Sequence, residues 1–180
     1  NNNIDFFTMS SQADGLDFGD LPITSRGVSG CSSPTRGIFF LGDNAGSTRV
    51  NTIEYVTIST TGNSSDFGDS TVTARYSSGC SNAVRGLNFG GNTGSATDVI
   101  DFITIATLGN AKDFGDLTAA TSDFGGTGFS SPTRGVVAGG GGISTIQYVQ
   151  IMSTGDSQDF GDLTAGNQYG AGASNGHGGL

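Results

Sequence analysis

The chain has 180 residues, 32 of them glycine and only three proline, with a formal net charge of −9 and one histidine. Its seven scattered Lys and Arg do not make the basic stripe that nucleic-acid phosphates require, and no apolar run reaches the roughly 18–20 residues of a membrane-spanning helix. Glycine is too irregularly spaced for collagen, and no segment sustains a 3.6-residue apolar period, so helix is not expected.

The first predicted strand is Ile4–Met9 (IDFFTM), apolar on both faces and therefore expected to be covered on both. A polar turn leads to Asp17-Phe18-Gly19-Asp20, a small-residue segment Ser29–Ser32 (SGCS), and an apolar strand opened by Arg36-Gly37. The same order then returns. Ile53–Ile58, Asp66–Asp69, Ser78–Ser81 and the Arg85-Gly86 strand form the second pass. Ile100–Ile105, Asp113–Asp116, Thr127–Ser130 and the Arg134-Gly135 strand form the third. Ile146–Ile151, Asp159–Asp162 and Gly170–Ser174 begin a fourth. The marker phenylalanines Phe18, Phe67, Phe114 and Phe160 are 49, 47 and 46 residues apart, which makes the chain an array of one supersecondary unit. Asp-Phe-Gly also occurs in protein kinases, but four copies with neither a Gly-rich loop nor a His-Arg-Asp loop exclude that reading.

Four short strands per repeat predict an all-β fold, and four-stranded units repeated radially make a β-propeller. The units fall at about 21–69, 70–116 and 117–162, all within one domain spanning 1–180. A fourth would combine 1–20 with 163–180, so that both termini close the last blade and leave no free sheet edge. That blade lacks a counterpart of Ile38–Leu41, which predicts either a fragment of a longer chain or a strand supplied by a neighbouring chain. The alternative architecture is an open stack of β units along a fibre axis.

Phe18, Phe67, Phe114 and Phe160 are the expected core between units. The paired aspartates admit a calcium reading, but their Asp-x-x-Asp spacing lacks the dense alternating acids of a calcium loop; turn closure by the first Asp is the simpler expectation. Cys31 and Cys80 hold equivalent positions and are expected to be free, buried thiols. Arg36, Arg85 and Arg134 recur in register, with His177 in the fourth place. They are expected either to bond neighbouring Asp or turn carbonyls, or to form a ring that holds an anion or an acidic sugar. One terminal histidine supports no Ser-His-Asp set, and Asn63-Ser64-Ser65 is a glycosylation sequon in a turn.

The order of a small-residue strand, an apolar strand ending Gly90-Gly91, an aromatic-centred strand and an aromatic opening the outer strand resembles the kelch repeat, with Phe where kelch repeats carry Trp. More specifically, Asn51–Ile58, Gly62-Asn63, Asp66–Asp69, Cys80-Ser81 and Arg85–Gly91 resemble kelch-like repeat proteins of marine bacteriophages, as does the closing Ser174–Leu180. That resemblance implies a non-enzymatic virion or tail-fibre component, at the particle surface or otherwise extracellular, with no cofactor. Its expected partners are itself, other virion proteins or a cell-surface glycan. A carbohydrate-binding propeller module and a subunit of a self-assembling filament are the alternatives.

Overall fold

The computed structural model describes residues 1–125 and 127–174. Its regular structure is entirely β. In chain order the strands are β1 (Asn3–Phe6), β2 (Leu16–Asp20), β3 (Ser25–Arg26), β4 (Ser29–Ser32), β5 (Arg36–Phe40), β6 (Asp43–Asn44), β7 (Thr52–Thr57) and β8 (Ser65–Asp69). They continue as β9 (Ser78–Ser81), β10 (Arg85–Phe89), β11 (Thr97–Thr104), β12 (Lys112–Thr121), β13 (Gly128–Ser130), β14 (Arg134–Ala138), β15 (Thr145–Gln150) and β16 (Gln158–Asp162). Three antiparallel four-stranded sheets, β4-β5-β7-β8, β9-β10-β11-β12 and β13-β14-β15-β16, are here called units 2, 3 and 4. The pair β1-β2 is unit 1, equivalent to the last two strands of the others, and β3-β6 is a small separate ladder.

The expected closure of a last blade by both termini is not formed among the described residues. β1 and β2 pair only with each other, and residues 163–174 add no strand to them. The two segments are held at opposite ends of the array. Unit 1 is bonded to the β7–β8 turn, while the backbone of Gly128 and the ring of Phe129 lie against Gly172.

The Asp-Phe-Gly-Asp tetrapeptide forms a β-bulge. Asp101 faces Asp113 and Ile100 faces Gly115, so Phe114 is the extra residue between them; the same register shift recurs opposite Asp5, Glu54 and Gln147. A bulge re-aims the side chain it carries, here turning each Phe edge-on to the aromatic of the adjacent strand: Phe6, Tyr55, Phe102 and Tyr148. The following glycines take φ of +139° to +148°, a region essentially closed to other residues. The first Asp closes the bulge, Gly115 N–H and Gly161 N–H donating to Asp113 Oδ1 and Asp159 Oδ1, each at 3.1 Å. This is the turn-closing role, seen at Asp113 and Asp159.

The bulges of units 1, 2 and 3 are also seats for the next unit. Gly62 N–H donates to Phe18 O at 2.7 Å, Gly109 N–H to Phe67 O at 2.8 Å, and Gly155 N–H to Phe114 O at 2.7 Å. Ser64, Ala111 and Ser157 N–H reach Asp20, Asp69 and Asp116 O in the same way. In return Asp20, Asp69 and Asp116 N–H donate to Asn63, Asn110 and Asp156 Oδ1 at 3.0–3.1 Å. The turn comes so close that a Cβ on Gly68 would stand 2.6 Å from Gly109 backbone. These bonds cover the outer-strand edges of units 1, 2 and 3, which would otherwise offer unpaired polar groups.

The apolar core lies between units. Ile103, Ile105 and Ala111 of unit 3 pack on Ile38, Phe40, Ile53 and Phe67 of unit 2. Val149 and Ile151 of unit 4 join Leu87, Phe89, Ile100 and Phe114 of unit 3. Phe67 and Phe114 are 2% exposed and Phe18 8%, each burial contributing about 2 kcal/mol. Phe160 departs from the expected core: it is 56% exposed, because no further unit covers it among the described residues.

Candidate functional site

The sheet registers sort the connections into two ends. Ser29, Phe40, Ile53 and Asp69 lie toward one end of unit 2, with the loops that enter the inner strand and leave the second; this is the loop end. Thr57, Arg36 and Ser65 lie toward the other, the turn end.

At the turn end the predicted arginines repeat one arrangement. Each guanidinium lies over an aromatic ring of its own unit, Arg36 on Tyr55 (4.7 Å), Arg85 on Phe102 (4.6 Å) and Arg134 on Tyr148 (4.9 Å). Arg36 then donates to Ile105 O at 2.7 Å and Arg85 to Ile151 O at 3.1 Å, both carbonyls of the following unit. The carbonyl-bonding alternative therefore describes Arg36 and Arg85. Arg134 keeps its ring and has no such carbonyl among the described residues. His177 lies outside the described residues. Asn63 of the sequon has its amide oxygen engaged by Asp20 N–H.

Both cysteines are free; Cys80 is buried as expected, whereas Cys31 departs from that expectation and is partly exposed as a residue, at the edge of the core. Each thiol lies under a glycine of the next unit: a Cβ on Gly86 would meet Cys31 Sγ at 2.7 Å, and one on Gly135 would meet Cys80 Sγ at 2.8 Å. Burial pushes the Cys31 thiol up to about 12 and raises Cys80 as well. These are packing thiols, not nucleophiles.

The loop end carries a constellation of its own. Asp43 on β6 is fully buried and its Oδ2 accepts from Arg75 at 2.6 Å and from Arg26 Nε at 3.3 Å. Burial opposes its ionisation, but the two guanidiniums prevail and hold the carboxyl below the usual carboxylate range. Asp43 Oδ1 and Arg75 Nε are buried with no hydrogen-bond partner. Beside them Arg49 grips Asn92 through its carbonyl (2.8 Å) and Oδ1 (2.9 Å). Asp43 and Arg49 belong to unit 2, Arg75 and Asn92 to the loops of unit 3, so this clamp crosses a junction.

Along the same end runs a row of left-handed residues, Gly27, Tyr76, Asp123 and Tyr169, at φ +66°, +55°, +56° and +53°. They are linked unit to unit: Tyr76 N–H donates to Gly27 O, and Tyr169 N–H to Asp123 O. Non-glycine residues are uncommon there, and each carries strain that the surroundings must hold. The row brings Tyr76 and Tyr169 edge to face at 5.8 Å, with Arg75 over Tyr76 at 5.0 Å. Asp123, by its charge first, raises the Tyr169 phenol. Tyr169 is 59% exposed. Aromatic faces flanked by a guanidinium and a carboxylate can stack a sugar ring and bond its hydroxyls.

Sequence reasoning did not single out these residues, although a register signal exists. Arg26 and Arg75 both stand eight positions after their marker Phe, and Gly27, Tyr76, Asp123 and Tyr169 stand nine after. The identity at those positions changes from unit to unit, so no motif marks them.

No family model matches the sequence. No curated protein matches it either. Among solved structures, one titled "Structure of YjhT" superposes with a TM-score of 0.68 at 12% identity, covering 88% of this chain. The likeness is one of fold, and this chain spans 62% of that longer one.

Proposed function

We propose that the chain is a non-enzymatic, kelch-like propeller segment with a structural and adhesive role, its setting a bacteriophage virion or tail fibre. One observation carries the structural part. The chemistry that recurs in the sequence is directed from each unit onto its neighbour: the turn glycine on the bulge, the arginine on the next carbonyl, and the thiol under the next glycine. A protein whose repeated polar groups are consumed in holding units together is built for shape. The four-stranded units and the fold likeness to a longer chain support the propeller reading. The phage setting rests on the repeat resemblance. Immunogold labelling of purified particles with antibody against this chain tests it: label on the particle surface is expected, and particles free of the chain overturn it.

A carbohydrate-binding role is the second reading, favoured by the loop-end Tyr76–Tyr169 pair with Arg75 and Asp123. A glycan array probed with the wild type and with Tyr169→Ala tests it. Binding that the substitution abolishes supports a lectin; a blank array removes it.

A further inference from the structure

We propose that the Asp43 clamp is an anion site that takes one tetrahedral oxyanion group, a sulfate or a phosphate, on the loop-end arginines Arg26, Arg49 and Arg75. The inference goes beyond both readings above and depends on neither.

These three are drawn from only seven Lys and Arg in a chain of net charge −9, and they sit at one junction inside the array. The backbone assembles them. Arg26 pairs with Asp43, Asp43 bridges to Arg49, and Arg75 bridges to Asn92. Arg26 and Arg75 then meet at a single oxygen, Asp43 Oδ2, while Arg49 Nε and the Arg75 backbone N–H share the Asn92 carbonyl. One carboxylate therefore serves three guanidiniums. The next acid, Asp123, is within electrostatic reach of Arg75 but is turned to Ser122 and the Tyr169 phenol. Like charges drawn to one oxygen repel each other, and a second anion relieves that repulsion.

The donors are available. A guanidinium has five N–H groups. The bonds described occupy two on Arg26, two on Arg49 and one on Arg75, whose plane is set by the Tyr76 ring. The side chains of Arg26 and Arg75 are 56% and 27% exposed, so a small anion can approach both. A sulfate or phosphate ester presents three terminal oxygens to three guanidinium forks, where a carboxylate presents two.

The next unit supplies the comparison. Its ladder runs through Arg75, Asn92 and Ala96, because Asn92 bridges to Ala96 as Asp43 bridges to Arg49. It closes with one charged residue where the ladder of unit 2 has three, so the backbone does not need the added arginines. The connections agree. At the turn end, Ile53 to Phe67, Ile100 to Phe114 and Ile146 to Phe160 each span 14 residues. Across the loop end, Arg36 to Ile53, Arg85 to Ile100 and Arg134 to Ile146 span 17, 15 and 12. Repeat arrays vary their loops on the face that meets a ligand. The net charge then limits the ligand: a polyanion is repelled by the rest of the chain, so the site suits a single group, free or carried on a neutral molecule.

The test is calorimetric titration of the 180-residue chain at low ionic strength with inorganic phosphate, inorganic sulfate and methyl phosphate, with chloride as the control. One ion per chain is expected, with a Kd on the order of 1 mM. Arg26→Gln and Arg49→Gln should each weaken binding about tenfold. Arg134→Gln removes the same charge at the turn end and should leave it unchanged. Asp43→Asn removes the competing carboxylate and should tighten binding about tenfold, a gain that misfolding cannot imitate. Equal affinity for phosphate and methyl phosphate supports a group carried on a larger molecule, and affinity for the inorganic ions alone supports the free ion. Titrations that never saturate overturn the proposal. So does equal weakening by Arg134→Gln and Arg26→Gln, or an Asp43→Asn chain that binds no tighter. Neither particle labelling nor the glycan array depends on these titrations, so each reading can fail alone.

Discussion

The junction between bulge and turn is made three times in the same way, whereas the Asp43 clamp at the loop end is made once. At the junctions, Gly68 and Gly115 receive their turns at nearly the same distance, and Arg36 and Arg85 reach carbonyls in the same register. At the loop end, Asp43 becomes Asn92 one unit on, and Arg26 and Arg75 give way to Ser122 and Gln168 at the equivalent later positions. The backbone pairing survives that change: Arg26 faces Asp43, and Arg75 faces Asn92. Repetition marks what every unit needs in order to stack; divergence on an unchanged backbone marks where one place in the array can acquire a separate role.

The largest expected effect is on the repeated feature. Gly68→Ala puts a methyl into Gly109 backbone and forces a φ of +143° on alanine, so a loss of about 3 kcal/mol or more is expected in denaturant unfolding. Gly161→Ala carries the same backbone strain with no clash, so it should cost markedly less; equal losses would mean that the approach of the turn is unimportant. Next, Phe114→Ala should cost about 3–5 kcal/mol, and Phe160→Ala under about 1 kcal/mol where half the ring is already in water. The singular clamp follows. Arg75→Met leaves Asp43 buried with only the partly exposed Arg26, so it should cost more than Arg85→Met, which removes a carbonyl bond and a ring contact for about 1 kcal/mol.

The smallest effects are in pH dependence, and they have opposite signs. Asp43 has a lowered folded pKa, so its contribution is present above the ordinary carboxylate range and is lost as pH falls through the depressed value. Glu54 and Asp101 occupy one register position on the middle strands, with Gln147 next in line, and burial raises both acids. Their contribution is fullest below the ordinary carboxylate range and is lost as pH rises through the raised values. Asp101→Asn should therefore flatten the decline in thermal midpoint between acid and neutral pH, while Asp43→Asn should flatten the loss at the acid extreme. Midpoints measured across that range check both signs.

Glu54 also shows how a repeat is edited. Thr71 donates N–H (3.0 Å) and hydroxyl (2.6 Å) to Asp101, and Thr118 donates both groups to Gln147 at 2.8 Å. The register equivalent facing Glu54 is Pro22, which has neither group, and Glu54 Oε2 is buried without a partner. Pro22→Thr should stabilise by about 0.5–1 kcal/mol in the same unfolding assay.

The all-β class and the four-stranded sheets were legible because they depend on local patterns that return at a fixed spacing. The purpose of Asp-Phe-Gly-Asp was only half legible. Its Asp and Gly read as a turn, but the bulge depends on pairing with a strand that lies ten or more residues earlier. The clamp was not legible, because Arg26, Asp43 and Arg75 are brought together by stacking across two units and share no motif. Arg36 and Arg85 were found by recurrence, and their ambiguity was resolved by the next unit's carbonyls, which no local pattern predicts.

The two thiols have a consequence for following the molecule in time. Cys31 is shut beneath Gly86 and Cys80 beneath Gly135, so each sulfur is released only when one particular pair of units parts. Trapping with a thiol reagent, read by mass on the Cys31 and Cys80 peptides, thus clocks the two seams separately within one chain. A sequential zipper would release them at different rates, and a single cooperative body would release them together.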